Sequence, residues 1–427
     1  MSACDVAIVG AGAAGLFCAG IAAQQGLSVV LIDHHPKLAE KIRISGGGRS
    51  NFTNKDIDAQ APHKHFLGDN PLFARSALSR YTAHDFIALV QSHGMAFHEK
   101  HKGQLFCDRS SQDLIDLLWQ ECQRGAQGGT VEMWQPCGVK AVRHHPGQSH
   151  AYALDTDRGE LRAQALVVAT GGLSIPQIGA SDFGYRLASQ FNLPLVPTRP
   201  GLVPLTFGGD DGAICAQMAG ASLPVHISTG TGKAQTGFDE DLLFTHRGLS
   251  GPAVLQISSF WQLGAPIAVN LLPQLSLPQA LGQAKQTSRK SIANELAQWL
   301  PTRLANAWVA RDAAWQRPIN QASDRALGDL AQALSGWALQ PTGSEGYKKA
   351  EVTVGGVSTQ ALSQKTMEST QKGLYFIGEV VDITGWLGAT TSNGPGPAPT
   401  PARWLWGRRS NRYNPGLCWQ TPNGLIT

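Results

Sequence analysis

Charge is scarce in this sequence. Asp, Glu, Lys and Arg make up 15% of its 427 residues, against roughly a quarter in an average soluble chain. With hydrophobic residues at 42%, this excludes a disordered chain and points to an extensive core. Long apolar runs are missing too. None approaches the ~20 residues of a membrane span, so no membrane role is expected. The seven cysteines (Cys4, Cys18, Cys107, Cys122, Cys137, Cys215 and Cys418) contain no Cys-x-x-Cys pair. Their odd number and scatter argue against a disulfide framework, a zinc ribbon and a dithiol redox centre. Acids are absent from the last stretch, where Ala389–Thr427 carries Arg403, Arg408, Arg409 and Arg412 and no Lys. The net charge is +4, so the body without that tail is neutral. Nothing in the composition marks the basic face a nucleic-acid binder needs, and no nucleic-acid partner is expected. No basic leader with a cleavage site precedes the first apolar run, which makes cytoplasm the expected location.

Glycine, by contrast, is plentiful at 48 residues, without a collagen period. Its placement is informative. Val6–Val9 reads as a buried strand ending in glycine, Ala13–Gln25 as an Ala-rich helix stopped by Gly26, and Leu27–Ile32 as a second buried strand. This is a βαβ unit. Between strand and helix lies Gly10-Ala11-Gly12-Ala13-Ala14-Gly15, which fits G-x-G-x-x-G. The first glycine makes the turn, the second lets backbone approach a pyrophosphate, and the third lets helix and strand pack closely. Asp33 ends the second strand, near the ~20-residue interval expected for an acid on a ribose hydroxyl. The coincidence of strand, helix and acid favours a dinucleotide site over a glycine turn that only packs.

Further along, Lys41–Asn54 reads as a polar, glycine-rich loop, and 81–94 and 108–124 as amphipathic helices. Val131–Leu161 reads as an antiparallel meander, followed by a buried strand Leu166–Ala169 closed by Thr170-Gly171-Gly172. From about Pro197 the texture changes to strands at 202–207, 223–228 and 267–271. Short helices carrying Trp299, Trp308, Trp315 and Trp337 follow. Strands resume at Ala350–Val354 and at Leu374–Ile377, the latter ending in Gly378-Glu379. The expected organisation is α/β. Residues 1–196 and 348–388 form a discontinuous nucleotide-binding domain, and 197–347 an inserted β-plus-helical domain on the substrate side. His63 and His65, His98 and His101, and His144 and His145 lack H-E-x-x-H spacing and nearby cysteines. They read as solvated side chains, and no metal is expected.

Four segments together resemble one family: Gly10–Gly15, Lys41–Asn54 (with Ser45-Gly46-Gly47-Gly48-Arg49-Ser50-Asn51), Ala169–Gly172 and Gly378–Asp382. This chain is similar to the BaiN-like flavoproteins, also called the aminoacetone oxidase family of FAD-binding enzymes. The glycine fingerprint is generic, whereas the Ser45–Asn54 and Ala350–Val357 stretches are specific. The resemblance runs from about residue 4 to Gly388. It implies a Rossmann-like FAD-binding domain of the glutathione-reductase type, without a separate NAD domain. It further implies that Asp33 holds the adenosine ribose and that Val139 meets adenine through its backbone. Lys41 and Ser45–Asn51 would line the pyrophosphate and flavin, Thr170 and Gly171 would pass near the cofactor, and Glu379 and Asp382 would lie by the ribityl chain. Gly10, Gly12, Ala14, Gly15 and Gly378 complete the expected set. A triple glycine lets main-chain amides reach anionic oxygens, and Arg49 adds charge toward a pyrophosphate. His246 and Arg247, in Leu243–Pro252, either face the substrate side of the flavin or belong to a structural hinge before a helix starting at Pro252.

The function so implied is an FAD-dependent oxidoreductase acting on a small molecule. One reaction is NAD(P)H-linked reduction of an activated double bond such as an enone, with NAD(P)H docking transiently. Alternatives are oxygen-dependent oxidation of an amine or aminoketone, and a non-catalytic flavin-binding protein. No motif marks the catalytic residues.

The chain departs from the family after Gly388. There the family continues approximately Gly-Tyr-Asn-Phe-Gln-Trp-Ala-Trp, where this chain reads Ala389-Thr390-Thr391-Ser392-Asn393-Gly394-Pro395-Gly396. Regrouping the possible codons one base earlier, from the last base of the Gly388 codon, can restore the family's residues at eleven consecutive slots. We therefore expect one lost nucleotide near Gly388, with 389–427 an out-of-frame, unstructured tail. The segment it replaces would be a helix whose N-terminus faces the flavin.

Overall fold

The computed structural model describes residues 2–232 and 235–387. The expectation for 389–427 lies outside the described residues. Two compact units emerge, one of Met1–Arg199 with Val352 onward, the other of Pro200–Glu351. The sequence-based boundaries, 197 and 347, stand three and four residues before these.

The first unit is organised by one sheet. Its strands are β1 (Ser2–Val9), β2 (Ser28–Ile32), β3 (Thr130–Trp134), β4 (Val139–His144), β5 (Tyr152–Thr156), β6 (Gly159–Val168) and β7 (Leu374–Phe376). The order is β3-β2-β1-β6-β5-β4, with β7 also on β6. β3, β2, β1, β6 and β7 run parallel, and β1 and β2 are buried on both faces, as near-continuous Val and Ile runs require. Helix α1 (Ala13–Gln24) packs ten buried residues between the strands. An all-round apolar helix of this kind belongs in the middle of a layered fold.

Three elements of this unit differ from their sequence reading, and in the second unit Trp337, read on a helix, instead opens the strand Trp337–Leu339. Residues 131–134 are not the first strand of a meander but part of β3, which pairs parallel with β2, Ser28 beside Thr130. The meander is β4-β5-β6. β6 is a single ten-residue strand. Its first half pairs with β5 at Gly159–Ala163, and its second half pairs with β7 at Leu166–Val168. The segment read as a loop at Lys41–Asn54 is instead a helix (Glu40–Ile44), a 3-10 turn (Ser45–Gly48) and a strand (Asn51–Asn54). Buried Ile42 and Phe52 anchor both ends of it in the core. The helices read at 81–94 and 108–124 span Ala83–Ser92 and Ser111–Gln123.

The second unit carries a seven-stranded sheet in the order Trp337–Leu339, Ile267–Asn270, Ser222–Thr229, Thr236–Thr245, Gly248–Ser250, Leu205–Thr206 and Gly343–Ser344. Every neighbouring pair is antiparallel. Its helices include Leu277–Thr287, Thr302–Val309 and Asp324–Ser335. Trp308, Trp315 and Trp337 are buried, and the Trp308 and Trp337 rings meet edge-on at 5.0 Å. These tryptophans fill this unit's core. His246 and Arg247 form the tip of the hairpin between Thr236–Thr245 and Gly248–Ser250, and Pro252 opens the helix Pro252–Ser258. Among the described residues, no helix is long and apolar enough to cross a membrane.

Candidate functional site

The C-terminal ends of β1, β2 and β6 open into a cavity of about 300 Å³ within the first unit. Ligands of open α/β sheets bind at this end, because helix N-termini and loop amides gather there. Gly10 follows β1 with φ +105°, and its N–H donates to Ile32 O at 2.8 Å. A Cβ on Gly10 would run into Ala169 O, and one on Gly15 would collide with Gly10 O. Both glycines therefore serve packing of strand, turn and helix. Gly12 differs: its Cβ would meet nothing within 4 Å, because it faces the cavity. Gly12 caps α1 with no side-chain hydrogen bond and no acid in the first turn. The helix N-terminus is thus left to receive an anion.

At the end of β2, Asp33 accepts from Ala11 N–H (2.7 Å) through Oδ2 and from His35 N–H (2.8 Å) through Oδ1. It is tied to the glycine turn on one side and to its own loop on the other. Val139, at the start of β4, closes this end of the cavity. Thr170 and Gly171 line it after β6, and Thr170 Oγ1 is buried with no hydrogen-bond partner. The open space beside Gly12 and the uncapped helix fit a dinucleotide with an anionic bridge.

At the other end of the cavity stand Lys41, Ser174 and Glu379. Lys41 Nζ donates to Glu379 Oε2 at 2.5 Å and to Ser174 Oγ at 2.8 Å. Glu379 Oε1 accepts from Thr353 N–H at 2.7 Å. Glu379 is buried, and Lys41 is partly exposed toward the cavity.

Of the residues expected from sequence, Gly10, Gly12, Ala14, Asp33, Lys41, Val139, Thr170, Gly171, Gly378 and Glu379 line this cavity. Gly15 sits behind it in the packing of α1. Ser45, Gly46, Gly47, Gly48, Arg49, Ser50 and Asn51 do not line it. The three glycines there have φ of 55°, 67° and 84°, a left-handed run that only glycine adopts readily. Asp382 also lies off the cavity. It is almost fully buried and accepts from Asp69 N–H at 2.8 Å. Burial pushes its carboxyl above the ordinary range. Ser174 and Thr353 join the site in the folded chain without a motif of their own. Thr353 lies inside the distinctive Ala350–Val357 stretch, the one sequence signal for it, and no motif marks Ser174.

A parallel sheet with a glycine-turn cavity at its strand ends defines a Rossmann-like FAD-binding fold of mixed α/β class. Residues 4–390 match the family described as HI0933-like protein Rossmann domain, and the chain belongs to it. Two curated relatives are named ribosomal RNA dihydrouridine synthase. That of Escherichia coli K12 is 46% identical over 90% of this chain and 93% of its own. That of Haemophilus influenzae is 43% identical over 89% and 93%. Among solved structures, an E. coli quinol fumarate reductase is 15% identical over all of this chain and 70% of its own, with a TM-score of 0.45. The family and its enzyme-named relatives place the chain among FAD-binding oxidoreductases.

Proposed function

We propose that this chain is an FAD-dependent reductase that saturates the C5–C6 double bond of uridine in ribosomal RNA, with NAD(P)H as transient electron donor. The observation that carries this reading is the 46% identity to the E. coli ribosomal RNA dihydrouridine synthase across 90% of the chain. The chemistry agrees with the sequence expectation of an activated double bond. Uracil C5–C6 is conjugated with the C4 carbonyl, so C6 accepts a hydride and C5 then takes a proton. The reading departs from the expected small-molecule substrate and from the expected absence of a nucleic-acid partner, because the relative's substrate is named as RNA.

FAD, when bound, supplies the two-electron chemistry, and the protein supplies binding and orientation. Asp33 would hold the adenosine ribose, Val139 the adenine through its backbone, and Gly10–Ala14 the pyrophosphate at the start of α1. Lys41 offers a cation and Glu379 an acceptor toward the ribityl end. Gly46–Asn51 and Asp382 lie off this cavity, and only the family resemblance assigns them to the flavin half.

The test has two arms. Ribosomal RNA from cells with and without the gene is digested and its nucleosides weighed. A uridine carrying two extra hydrogens is expected only where the gene is present. The purified chain is then mixed anaerobically with NADPH, and bleaching of the flavin is expected. No change in the RNA on deletion would sink the substrate assignment. Bleaching by an amine but not by NADPH would favour the oxidase, and no turnover with any donor would favour a non-catalytic flavoprotein.

A further inference from the structure

Four side chains meet at the inner end of the cavity from four separate segments. Lys41 comes from the helix Glu40–Ile44, Ser174 from the turn after β6, Thr353 from the strand Val352–Val357 and Glu379 from the turn after β7. Lys41 is 133 residues from Ser174 and 338 from Glu379. Thr353 alone of the four does not line the cavity, and it is fully buried. All of its polar groups are engaged. Its N–H donates to Glu379 Oε1 at 2.7 Å. Its Oγ1 accepts from the N–H groups of Leu173 (2.7 Å) and Ser174 (3.2 Å). Its carbonyl accepts from Thr384 Oγ1 at 3.1 Å. Packing leaves no slack, since a Cβ on Gly172 would stand 2.6 Å from Thr353 Cβ and 2.7 Å from Glu379 Oε1.

We propose that Thr353 is a positioning residue for the cofactor cavity, locking the Gly171–Ser174 turn against Glu379 and so setting where the Lys41 ammonium stands. The proposal rests on the reading that this cavity holds FAD. The reason is hydrogen-bond satisfaction in a dry place. Without the Thr353 hydroxyl, the N–H groups of Leu173 and Ser174 lose their acceptor, and buried donors do not stay unpaired cheaply. The turn then shifts to find other acceptors and carries Ser174 Oγ with it. That oxygen accepts from Lys41 (2.8 Å) and donates to Glu379 Oε1 (3.3 Å). A charge serves a ligand only while its supporting contacts hold it in one place.

The test titrates FAD into the apoprotein of the full chain and follows flavin absorbance. Thr353→Val, which removes the hydroxyl at similar shape, is expected to weaken FAD about tenfold to a hundredfold. Thr353→Ser keeps the hydroxyl and should restore nearly wild-type affinity. The decisive readout is coupling: combined with Lys41→Met, Thr353→Val should cost little more than Lys41→Met alone. Additive losses would mean that Thr353 supports the fold and not Lys41, which overturns the proposal, as would a Thr353→Val variant with wild-type affinity. If Thr353→Val does not fold, Thr353→Ala is taken through the same cycle and decides by the same criterion. A chain that takes up no FAD either as written or with the base restored at Gly388 would overturn the cofactor reading itself, and the clamp with it.

Discussion

Two glycines three residues apart do different work. The Cβ of a residue at position 12 would enter open space, and the backbone there (φ −77°) suits any residue. Gly12→Val should therefore fold with an unchanged apoprotein melting temperature and yet purify colourless, because its side chain would occupy the pyrophosphate position. Gly15→Ala should fail to yield folded protein, since its methyl would collide with the Gly10 carbonyl, a backbone atom that cannot swing aside. Circular dichroism and absorbance near the flavin bands separate the two outcomes. Asp382 supplies a third residue-scale prediction. Burial raises its folded pKa above the ordinary 3.8, so the folded form holds the proton more tightly than the unfolded form. Its contribution to stability is fully present below pH 3.8 and is lost as pH rises through the folded value. Asp382→Asn should remove that loss. Urea unfolding of apoprotein across this window would show a flatter pH profile for the variant, and an identical slope would refute it.

At the scale of elements, the helix Ala83–Ser92 shows how a local signal sets a boundary. Thr82 Oγ1 accepts from Asp85 N–H at 3.2 Å, and Asp85 Oδ2 accepts from Thr82 N–H at 2.7 Å, a reciprocal capping box. Thr82→Ala should cost about 1 kcal/mol, read as a lower urea midpoint at constant slope. No change would mean that the helix is held by packing of Phe86 and Val90 alone. β6 shows the opposite case. Whether its ten residues form one strand or two depends on β5 and β7, which claim successive halves of its free edge. No feature within Gly159–Val168 announces that division.

At the scale of the whole molecule, the expectation of a lost base near Gly388 can be tested directly. Inserting one base at the Gly388 codon should restore the family's continuation and tighten FAD, with higher turnover under NADPH. The physical cause would be a helix N-terminus brought to the flavin, stabilising negative charge on the reduced ring. Unchanged affinity and turnover in the restored chain would leave the out-of-frame reading without functional support.

The amino-acid order alone determined the βαβ unit, the fingerprint and Asp33, and it marked a change of texture near residues 200 and 350. These features are contiguous. Strand and helix periods, glycine spacing and the interval to an acid are properties of a few dozen neighbouring residues. Tertiary structure decided the rest. Thr130–Trp134 joins the parallel sheet because β2 offers it an edge, although the residues after it turn into the meander. The Lys41–Asn54 segment became helix and strand because Ile42 and Phe52 find the core, despite four polar and glycine residues running from Ser45. Lys41 and Glu379 lie in segments that resemble the family and Thr353 in the Ala350–Val357 stretch, but their pairing with one another and with Ser174 has no local pattern. These four are brought together by hydrogen bonds spanning up to 338 residues, and such pairing is chosen by the sheet's order and register, which only the folded chain possesses.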